Sequence, residues 1–515
     1  MGNDIRLLTD DQMRQFITEG YLLLRTDFSQ PFHESLLGQL SEVYRSEGNP
    51  GNNLLPRIPQ LQKVFDHPVV KGALTSVLGP GYMMHAHRHG HFNNSPKPGG
   101  WHKDSYWGYK RMRNHRPWWA MIMYFPQDTP IELGPTGVMP GTQNYETRTF
   151  AADDSAGEVT AAGEAGTFVL IHYDIWHRST ANVAGRERFM LKFEFMRTQA
   201  PEAPSWDNRV EDWETPASLS GSVYWHEAMW RDAWDWLSGR QAQDGGSAAL
   251  AEEAQPAEIG RLLDELLSEE AGRRVDAADR LAILGASTAP YGAVSALEQA
   301  LADAFEPVAV NAAYGLARMG GEGVEALQRG LLHGETKVSR LSSYGLAVAE
   351  EASIGKLLEA LGSESEDTVF HAAFALGEHR STASSAEAVR KLAELLQHPS
   401  ERLRCAAVDA LGNVGAFRSE AAHGEGVEAL TKALHDSDAQ VRFTAGLSLA
   451  KWGAQAEGAV PGLVGALEDD NRYVRAHAAE ALYYIGTARA KDALLDFLRA
   501  SRWCPTTTPA STFYP

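Results

Sequence analysis

The residue types best suited to chemistry lie in the first 200 residues of the chain. His102 and Asp104 form a His-x-Asp pair, and His177 lies downstream. Two imidazoles and one carboxylate are the ligands of the facial triad of non-haem Fe(II) oxygenases, which leaves metal positions free for other ligands. Arg188, eleven residues beyond His177, offers a guanidinium fork that matches a carboxylate of a dicarboxylate cosubstrate. These residues predict a 2-oxoglutarate-dependent oxygenase site.

A second His-x-Asp pair, His172 and Asp174, competes for the role of metal ligand. It lacks the Gly-rich approach that precedes His102. We therefore interpret His172 as a strand residue and Asp174 as a local hydrogen-bonding group. The alternative that the first pair belongs to an ordinary polar loop leaves His177 and Arg188 unexplained.

Four histidines at alternate positions share one face of a predicted strand. They could form a metal cluster, but we favour a position inside a barrel, where some of them contact cosubstrate or substrate. Asn93 or Asn94 competes for the same role, and position alone does not select among them. The four are His85, His87, His89 and His91.

The elements around these residues are predicted to be one helix followed by short strands. The segment from Thr9 to Gly20 begins with a capping Thr and ends at Gly, which is typical of a helix. Short strands separated by Gly and Pro turns indicate a sandwich or barrel. The predicted strands are 21–24, 82–92, 118–125, 136–139, 166–172 and 188–195.

The ordered segments of residues 5–200 resemble the phytanoyl-CoA dioxygenase family of 2-oxoglutarate oxygenases. They are the opening 8–22, Trp101-His-Lys-Asp104, the Gly/Pro-rich 132–142 and the segment 177–188. The resemblance implies a double-stranded β-helix, a jelly-roll or cupin-like fold, with flanking helices. Asn182 is implied to shape the turn before the last strand. Leu133 replaces the family's Asn, which puts the turn there in doubt but leaves the ligands untouched.

The same resemblance implies roles for individual residues. His102, Asp104 and His177 would be the catalytic metal ligands, and Arg188 and Ser179 would bind the far carboxylate of 2-oxoglutarate. The implied cofactors are Fe(II), 2-oxoglutarate and O2, with ascorbate as an activator in vitro. A carboxylate at Asp104 fits hydroxylation, because related halogenases carry a small residue there. The implied function is hydroxylation or another oxidation of a small organic molecule, for instance in natural-product metabolism.

The second half of the chain repeats a short pattern of apolar and small residues at helical spacing. Helix pairs that recur at such a period predict an α-solenoid, whose repeats bury their faces against one another. Residues 255–500 resemble HEAT repeats, of the short kind also found in phycobilisome lyases, with about seven helix pairs. The copies begin at Arg273, Val308, Val338, Thr368, Leu403, Val441 and Val474.

The composition changes near residue 240 and sets the predicted boundaries. Residues 1–240 form the oxygenase domain, 241–254 a polar, Gly-rich linker, 255–500 the solenoid and 501–515 a tail. Six Trp residues fall within 202–238, which is too aromatic for a free linker. We expect this segment to pack as helices on the barrel or on the first repeat.

The bulk composition narrows the function classes. The net charge of −20 argues against nonspecific nucleic-acid binding, which needs a basic face. No long apolar run or signal core occurs, so neither a membrane span nor secretion is expected. Two widely spaced cysteines, Cys405 and Cys504, predict a reducing, cytoplasmic location without a disulfide framework.

Two questions stay open at the level of sequence. The substrate could be anionic if the basic residues around the motif face it, or these residues could form a solvated basic stretch; they are Lys97, Arg111, Arg113 and Arg116. The solenoid could bind a protein partner or mediate self-association. The alternative function is therefore a scaffold or sensor, whose oxygenase domain acts on a protein or carrier-bound substrate or is not catalytic.

Overall fold

The computed structural model describes residues 5–104, 112–153, 155–240, 255–349, 353–417 and 423–500. The two-domain layout is confirmed, with antiparallel sheets and flanking helices in the first part and helices alone in the second. The predicted linker 241–254 and tail 501–515 lie outside the described residues, as do Arg111 and Cys504. No helix within the described ranges is long and apolar enough to cross a membrane.

Helices of the first domain cover one face of its larger sheet. The first of them begins as predicted, because the Thr9 side chain and Gln12 form a capping box, and it ends at Gly20 in the left-handed conformation. Apolar residues of these helices, such as Phe65, pack on Phe193 of the sheet. The helices are α1 Asp10–Glu19, α2 Gln30–Glu47, α3 Leu54–Arg57, α4 Gln62–Asp66 and α5 Pro68–Leu78.

Two antiparallel sheets form the core of the first domain, as the double-stranded β-helix requires. The larger sheet has the order β1-β6-β3-β8-β2 and the smaller one β5-β4-β7. The strands are β1 Tyr21–Arg25, β2 Met83–Asn93, β3 Trp119–Tyr124, β4 Thr136–Val138, β5 Val159–Thr160, β6 Thr167–His172, β7 His177–Ser179 and β8 Arg188–Met196.

The six predicted strands agree with observed strands to within one or two residues at each end, whereas β5 and β7 were not predicted. These two strands have only two and three residues, too short for an alternating pattern to be recognised. The omission matters because β7 carries His177.

The Trp-rich segment packs on both domains but is helical only in part. One helix, α6, spans Glu227–Leu237, whereas 202–226 contains no helix. This earlier stretch contains Pro204, Pro216 and Gly221, which disfavour a helix. Separate side-chain hydrogen bonds hold it to the rest of the protein instead. The Trp206 Nε1–H, for example, donates to Asp10 Oδ1 at 2.7 Å.

The second domain is a solenoid of paired helices. Small residues allow the close helix contacts, since a Cβ on Gly345 would lie 2.6 Å from the Ala313 carbonyl oxygen. The helices are α7 Pro256–Glu265, α8 Ala271–Leu284, α9 Ala293–Ala300, α10 Glu306–Ala317, α11 Gly320–Leu331, α12 Thr336–Val348, α13 Ser353–Ala360, α14 Glu366–Glu378, α15 Ala386–Leu395, α16 Glu401–Ala416, α17 His423–Ala433, α18 Ala439–Trp452, α19 Val460–Ala466, α20 Arg472–Ile485 and α21 Ala488–Ala500.

The solenoid packs directly against the first domain. The Trp118 Nε1–H donates to the buried Glu378 carboxylate at 3.0 Å. The Tyr484 hydroxyl donates to the Tyr82 carbonyl at 2.7 Å. Buried hydrogen bonds of this kind agree with the expectation that the two domains are in intimate contact.

Candidate metal centre

The three predicted metal ligands lie together at one end of the first domain. His102 and His177 form an antiparallel backbone pair, in which each N–H donates to the other's carbonyl at 3.0 Å. Asp104 lies two residues beyond His102 and is buried. The ligating atoms of the three side chains all lie within 4.8 Å of one another, a separation that one metal ion can bridge.

Backbone carbonyls fix the orientation of both imidazoles. The Nδ1 of His102 lies 2.9 Å from the Gly100 carbonyl oxygen, and the Nδ1 of His177 lies 3.1 Å from that of Ile175. If each Nδ1 carries the proton, each Nε2 keeps its lone pair for a metal, as in many metal sites. Each Nδ1 contact is to the residue two positions earlier, so the local turn sets the orientation.

Asp104 is held as a carboxylate in a buried position. Burial opposes ionisation, but His177 and the Lys192 ammonium outweigh it and hold the pKa of Asp104 well below its usual range. The Lys192 Nζ donates to Asp104 Oδ2 at 2.8 Å, and the His177 Nε2 lies 3.4 Å from the same oxygen. His102 itself is exposed, but partial desolvation of its ring and the neighbouring His177 lower the pKa of His102. The site thus favours an ionised carboxylate beside a neutral imidazole, which are the forms that bind a cation.

Arg188 lies on β8 with its guanidinium buried. Its Nε–H donates to the Gly134 carbonyl at 2.9 Å. Among the described residues, no carboxylate forms an ion pair with Arg188. Burial lowers the pKa of Arg188 to about 10. A buried cation of this kind is stabilised by any anion that reaches it.

Ser179 lies at the end of β7, two residues from His177, and therefore on the same face of the strand. Its carbonyl accepts a hydrogen bond from the Gly99 N–H at 2.8 Å. Asn182 supports the following turn, since its Nδ2–H donates to the carbonyls of Asn93 and Arg186 at 2.9 and 2.6 Å. Leu133 pairs with Asn182 in an isolated bridge, so the turn forms despite the departure at this position.

The alternating histidines line part of the barrel interior. Opposite β8, Asn93 pairs with Arg188, His91 with Met190 and His89 with Lys192. Burial lowers the pKa of both His89 and His91. By contrast, Asn94 is exposed.

An irregularity in β2 brings two further histidines to one carboxylate. The register shifts between Met84 and Arg88, which face Phe195 and Phe193, so three residues oppose Glu194. His85 Nδ1 lies 3.1 Å from Glu194 Oε2, and His87 Nε2 lies 3.9 Å from Oε1. All three side chains are buried or nearly so.

Sequence reasoning missed Lys192 and Glu194. Both lie at steps of two from Arg188 and therefore on its face of β8. Charged residues at alternate positions of an otherwise apolar strand, Arg188-Phe-Met-Leu-Lys-Phe-Glu194, were the available signal.

The competing pair has the local role expected from the sequence. Asp174 accepts hydrogen bonds from Arg113 Nη1 at 2.9 Å and from the Asn114 N–H at 3.1 Å. The Nδ1 of His172 accepts from the Asp174 N–H at 3.2 Å. Within the described residues, neither side chain belongs to a group of potential metal ligands.

Neither a solvated basic stretch nor a contact with an anionic substrate fits Arg113 and Arg116, whose side chains are only 9% and 12% exposed. Arg113 forms ion pairs with Asp174 and Glu146 at 2.9 and 2.8 Å, and Arg116 with Asp232 at 3.0 Å. These guanidiniums are neither solvated nor free for an anionic substrate. Of the remaining two, Lys97 is exposed.

The fold and the His–Asp–His cluster are those of a non-haem Fe/2-oxoglutarate oxygenase. Residues 38–190 match the family model for phytanoyl-CoA dioxygenase (PhyH). Residues 354–423 and 427–504 match HEAT repeats. No curated protein sequence matches the chain.

Solved structures show a partial likeness. The α-ketoglutarate-dependent carbocyclase SnoK from nogalamycin biosynthesis is 17% identical, with 37% of this chain and 85% of that chain covered and a TM-score of 0.31. The non-haem monooxygenase ThoJ in complex with Ni is 18% identical, with 40% and 89% covered and a TM-score of 0.30. EctD from S. alaskensis is 16% identical, with 41% and 84% covered and a TM-score of 0.33.

Proposed function

We propose that the protein is an Fe(II)/2-oxoglutarate-dependent hydroxylase of a small organic molecule. The observation that carries the proposal is the convergence of His102, Asp104 and His177 within 4.8 Å, in a domain of the phytanoyl-CoA dioxygenase family. The carboxylate of Asp104 and the imidazoles of His102 and His177 would hold the iron and leave it able to bind further ligands.

The residues present fit iron and 2-oxoglutarate on chemical grounds. Both imidazoles have Nδ1 against a carbonyl oxygen, which leaves Nε2 for the metal. Arg188 would bind the far carboxylate of 2-oxoglutarate through its remaining N–H groups, and Ser179 would add a hydroxyl. The bound iron and 2-oxoglutarate would supply the activation of O2 and the oxidising power, with succinate and CO2 as products.

The rest of the chemistry is positioning and exclusion of water. Lys192 binds the same Asp104 oxygen that lies beside His177. It therefore orients the carboxylate and offsets part of its charge. Arg188 is buried and His91 is half-buried, and the limited access of water on this side strengthens these interactions. A carboxylate ligand at position 104 also occupies the place that a halide would need, which favours hydroxylation over halogenation.

Succinate formation tests the proposal. The intact protein, given Fe(II), ascorbate, 2-oxoglutarate and O2, should form succinate, and His102→Ala or Asp104→Ala should abolish it. The matched controls are His172→Gln and Asp174→Asn, which alter the second His-x-Asp pair without touching the triad. Undiminished turnover in the two triad variants would refute the assignment.

A second measurement does not depend on turnover. The anaerobic protein should develop the charge-transfer absorption of an Fe(II)–2-oxoglutarate chelate, and His177→Ala should lose it. Mass spectrometry for the gain of one oxygen atom across a panel of small molecules would then identify the substrate. A protein that binds neither iron nor 2-oxoglutarate would contradict the proposal.

A further inference from the structure

The loop from Met139 to Thr147, which follows β4, contacts both segments that carry the predicted metal ligands. On the side of His177, the Met139 N–H donates to the Trp176 carbonyl at 2.9 Å. The Thr142 hydroxyl oxygen accepts from the Trp176 N–H at 3.1 Å and donates to the Met139 carbonyl at 2.6 Å. Because Trp176 directly precedes His177, this loop fixes the backbone on which that ligand lies. We call residues 139–147 the support loop.

Lys103 attaches the other ligand segment to the same loop. It lies between the two predicted ligands of its segment in the sequence. Its Nζ donates to the Thr142 and Tyr145 carbonyls at 2.8 and 2.7 Å. The ammonium also lies over the Trp176 ring, 5.5 Å from the centroid, which is a favourable cation–π arrangement. Lys103 therefore holds the segment with two predicted ligands against the support loop.

The solenoid binds the end of the support loop through one carboxylate. Glu306 is the first residue of α10 and is 2% exposed. Its two oxygens accept from the Glu146 N–H at 3.0 Å, the Thr147 N–H at 2.8 Å and the Thr147 hydroxyl at 2.6 Å. Arg340 on α12 donates to the same carboxylate at 2.7 Å and anchors it in the solenoid. Hydrogen bonds to a charged group are stronger than neutral ones, so Glu306 fixes the position of Glu146 and Thr147.

A second contact from α10 reaches the support loop through His226. The His226 Nδ1 lies 2.5 Å from Asn311 Oδ1 on α10, and its Nε2 forms a hydrogen bond with the Tyr145 hydroxyl. All three side chains are buried. Tyr145 is therefore held from the solenoid at its hydroxyl and by Lys103 at its carbonyl.

These hydrogen bonds form one path from the solenoid to both ligand segments. Glu306 holds the end of the support loop, and the loop binds Lys103 on one ligand segment and Trp176 on the other. A metal site requires its ligand atoms to lie within about 0.2 Å of their preferred distances. A shift of the support loop would displace Lys103 and Trp176, and with them the three predicted ligands. Residues that hold ligands in this way affect metal binding without contacting the metal.

We propose that Glu306 is a positioning residue of the metal centre, which acts from the solenoid through the support loop and Lys103. This role rests on the proposed function and adds to that site a residue outside the first domain. The Glu306 carboxylate holds the support loop, the loop holds Lys103 and Trp176, and these two residues hold the predicted ligands. The first repeats of the solenoid thus determine how well the three ligands converge.

Equilibrium binding of Co(II) to the intact protein tests this role without turnover, because Co(II) accepts the same imidazole and carboxylate ligands. Lys103→Met and Glu306→Ala should each weaken Co(II) binding about tenfold, the lower end for residues that orient metal ligands. The two substitutions change the charge in opposite directions. Electrostatics alone would strengthen Co(II) binding in Lys103→Met and weaken it in Glu306→Ala. Weaker binding in both variants therefore reports the geometry of the ligands.

Glu378→Ala is the matched control. Glu378 is another buried carboxylate of the solenoid, 5% exposed, and it accepts from Trp118 of the first domain rather than from the support loop. Its replacement should lower the melting temperature, as Glu306→Ala does, but leave the Co(II) affinity unchanged. The charge-transfer band of the Fe(II)–2-oxoglutarate chelate provides a spectroscopic readout. This band should shift in Glu306→Ala and keep its wild-type position in Glu378→Ala.

A milder pair of variants keeps the test valid if Glu306→Ala does not fold. Thr147 is exposed, and Thr147→Val removes one donor to Glu306 without a change of charge, whereas Thr147→Ser keeps the hydroxyl. Thr147→Val should weaken Co(II) binding, and Thr147→Ser should bind Co(II) as the wild type does. Equal Co(II) affinities in these two variants would overturn the role of Glu306.

The remaining outcomes separate this role from the proposed function. Unchanged or tighter Co(II) binding in Glu306→Ala or Lys103→Met would overturn the positioning role alone, as would an equal loss in Glu378→Ala. A wild-type protein that binds no Co(II), or that binds it equally well after His102→Ala, would refute the proposed metal site itself.

Discussion

Replacement of Arg188 separates its role in binding from its role in stability. The wild-type guanidinium is buried, binds the Gly134 carbonyl and has its pKa lowered to about 10 by burial. We expect Arg188→Met to weaken 2-oxoglutarate binding by about 3 kcal/mol or more, because two hydrogen bonds to a charged group contribute about 1.5–3 kcal/mol each. That loss is about a hundredfold or more in affinity. Arg188→Lys keeps the charge without the fork and should lose about tenfold.

The assay is thermal unfolding of the anaerobic Fe(II) protein at increasing 2-oxoglutarate concentration. A ligand at 100 times its dissociation constant stabilises the folded protein by about 2.7 kcal/mol, so the wild-type melting temperature should rise with 2-oxoglutarate. Arg188→Met should lack this rise over the same concentrations. Without 2-oxoglutarate, the variant should melt no lower than the wild type, because a buried cation without an anion is unfavourable.

Arg186→Lys is the matched control, because Arg186 is exposed two residues before Arg188. It should respond to 2-oxoglutarate as the wild type does. If Arg188→Met kept the full response, the guanidinium would not bind the cosubstrate, and the reasoning from burial and charge would be refuted.

Three further predictions concern the contact between the domains. Burial lowers the pKa of His115 to about 3 and of His226 to about 4. Both stay neutral when folded but are protonated when unfolded below about pH 6.5, so each should lower stability as the pH decreases from 6.5, by about 2 kcal/mol per histidine at pH 5. His115→Gln or His226→Gln should remove that share of the pH dependence in urea unfolding, and an unchanged slope would contradict this. Burial raises the pKa of Asp279 to about 7, so its contribution should fall as the pH rises from 4 to 7, and Asp279→Asn should flatten that part of the profile. Glu378→Ala leaves Trp118 Nε1 without its acceptor and should destabilise the protein by about 1–3 kcal/mol, which calorimetry would detect.

Much of the fold follows from local patterns in the sequence. The α1 caps at Thr9 and Gly20 are visible as residue types, and the structure places both as caps. The repeat period correctly indicates the solenoid. The helix face that contacts the first domain could also be predicted in part, because the seventh residue of each copy is larger or more polar than the small residues before it, and Asp279, Tyr344 and Glu480 at this position bind the first domain. The contact that each of these residues makes depends on how the solenoid packs against the first domain. The repeat pattern of the sequence does not specify that packing.

In the candidate site, too, local sequence patterns predict the residues, whereas contacts between distant segments could not be predicted. The residue types and their order predict His102, Asp104 and His177 as metal ligands, and the structure brings these three side chains within 4.8 Å of one another. The strand β7 escaped prediction because its three residues are ordered by pairing with β4 and with His102 rather than by their own pattern. The irregularity in β2 was not predicted either. It brings His85 and His87 to Glu194, a residue about a hundred positions away in the sequence. The residue pattern of a single strand does not show which residues of another strand it will contact.

The contacts between the domains imply that the solenoid stabilises the wall on which the site is built. Trp118 Nε1, the Arg113 N–H and the Tyr82 carbonyl all lie on the first domain and bind the solenoid. His85 binds His477 in the same way. If each of four such groups lost its partner while buried, the cost at about 1–3 kcal/mol each would be comparable to the roughly 5–15 kcal/mol that separates a folded domain from its unfolded chain. The first domain avoids this cost while the solenoid stays packed against it. Without the solenoid, the strands that carry these groups would have to become exposed to water. That change would disturb the pairing of β2 with β8, which positions His85, Glu194 and, through Lys192, Asp104. The position of the proposed metal ligand Asp104 thus depends on a domain that contributes none of the three predicted ligands.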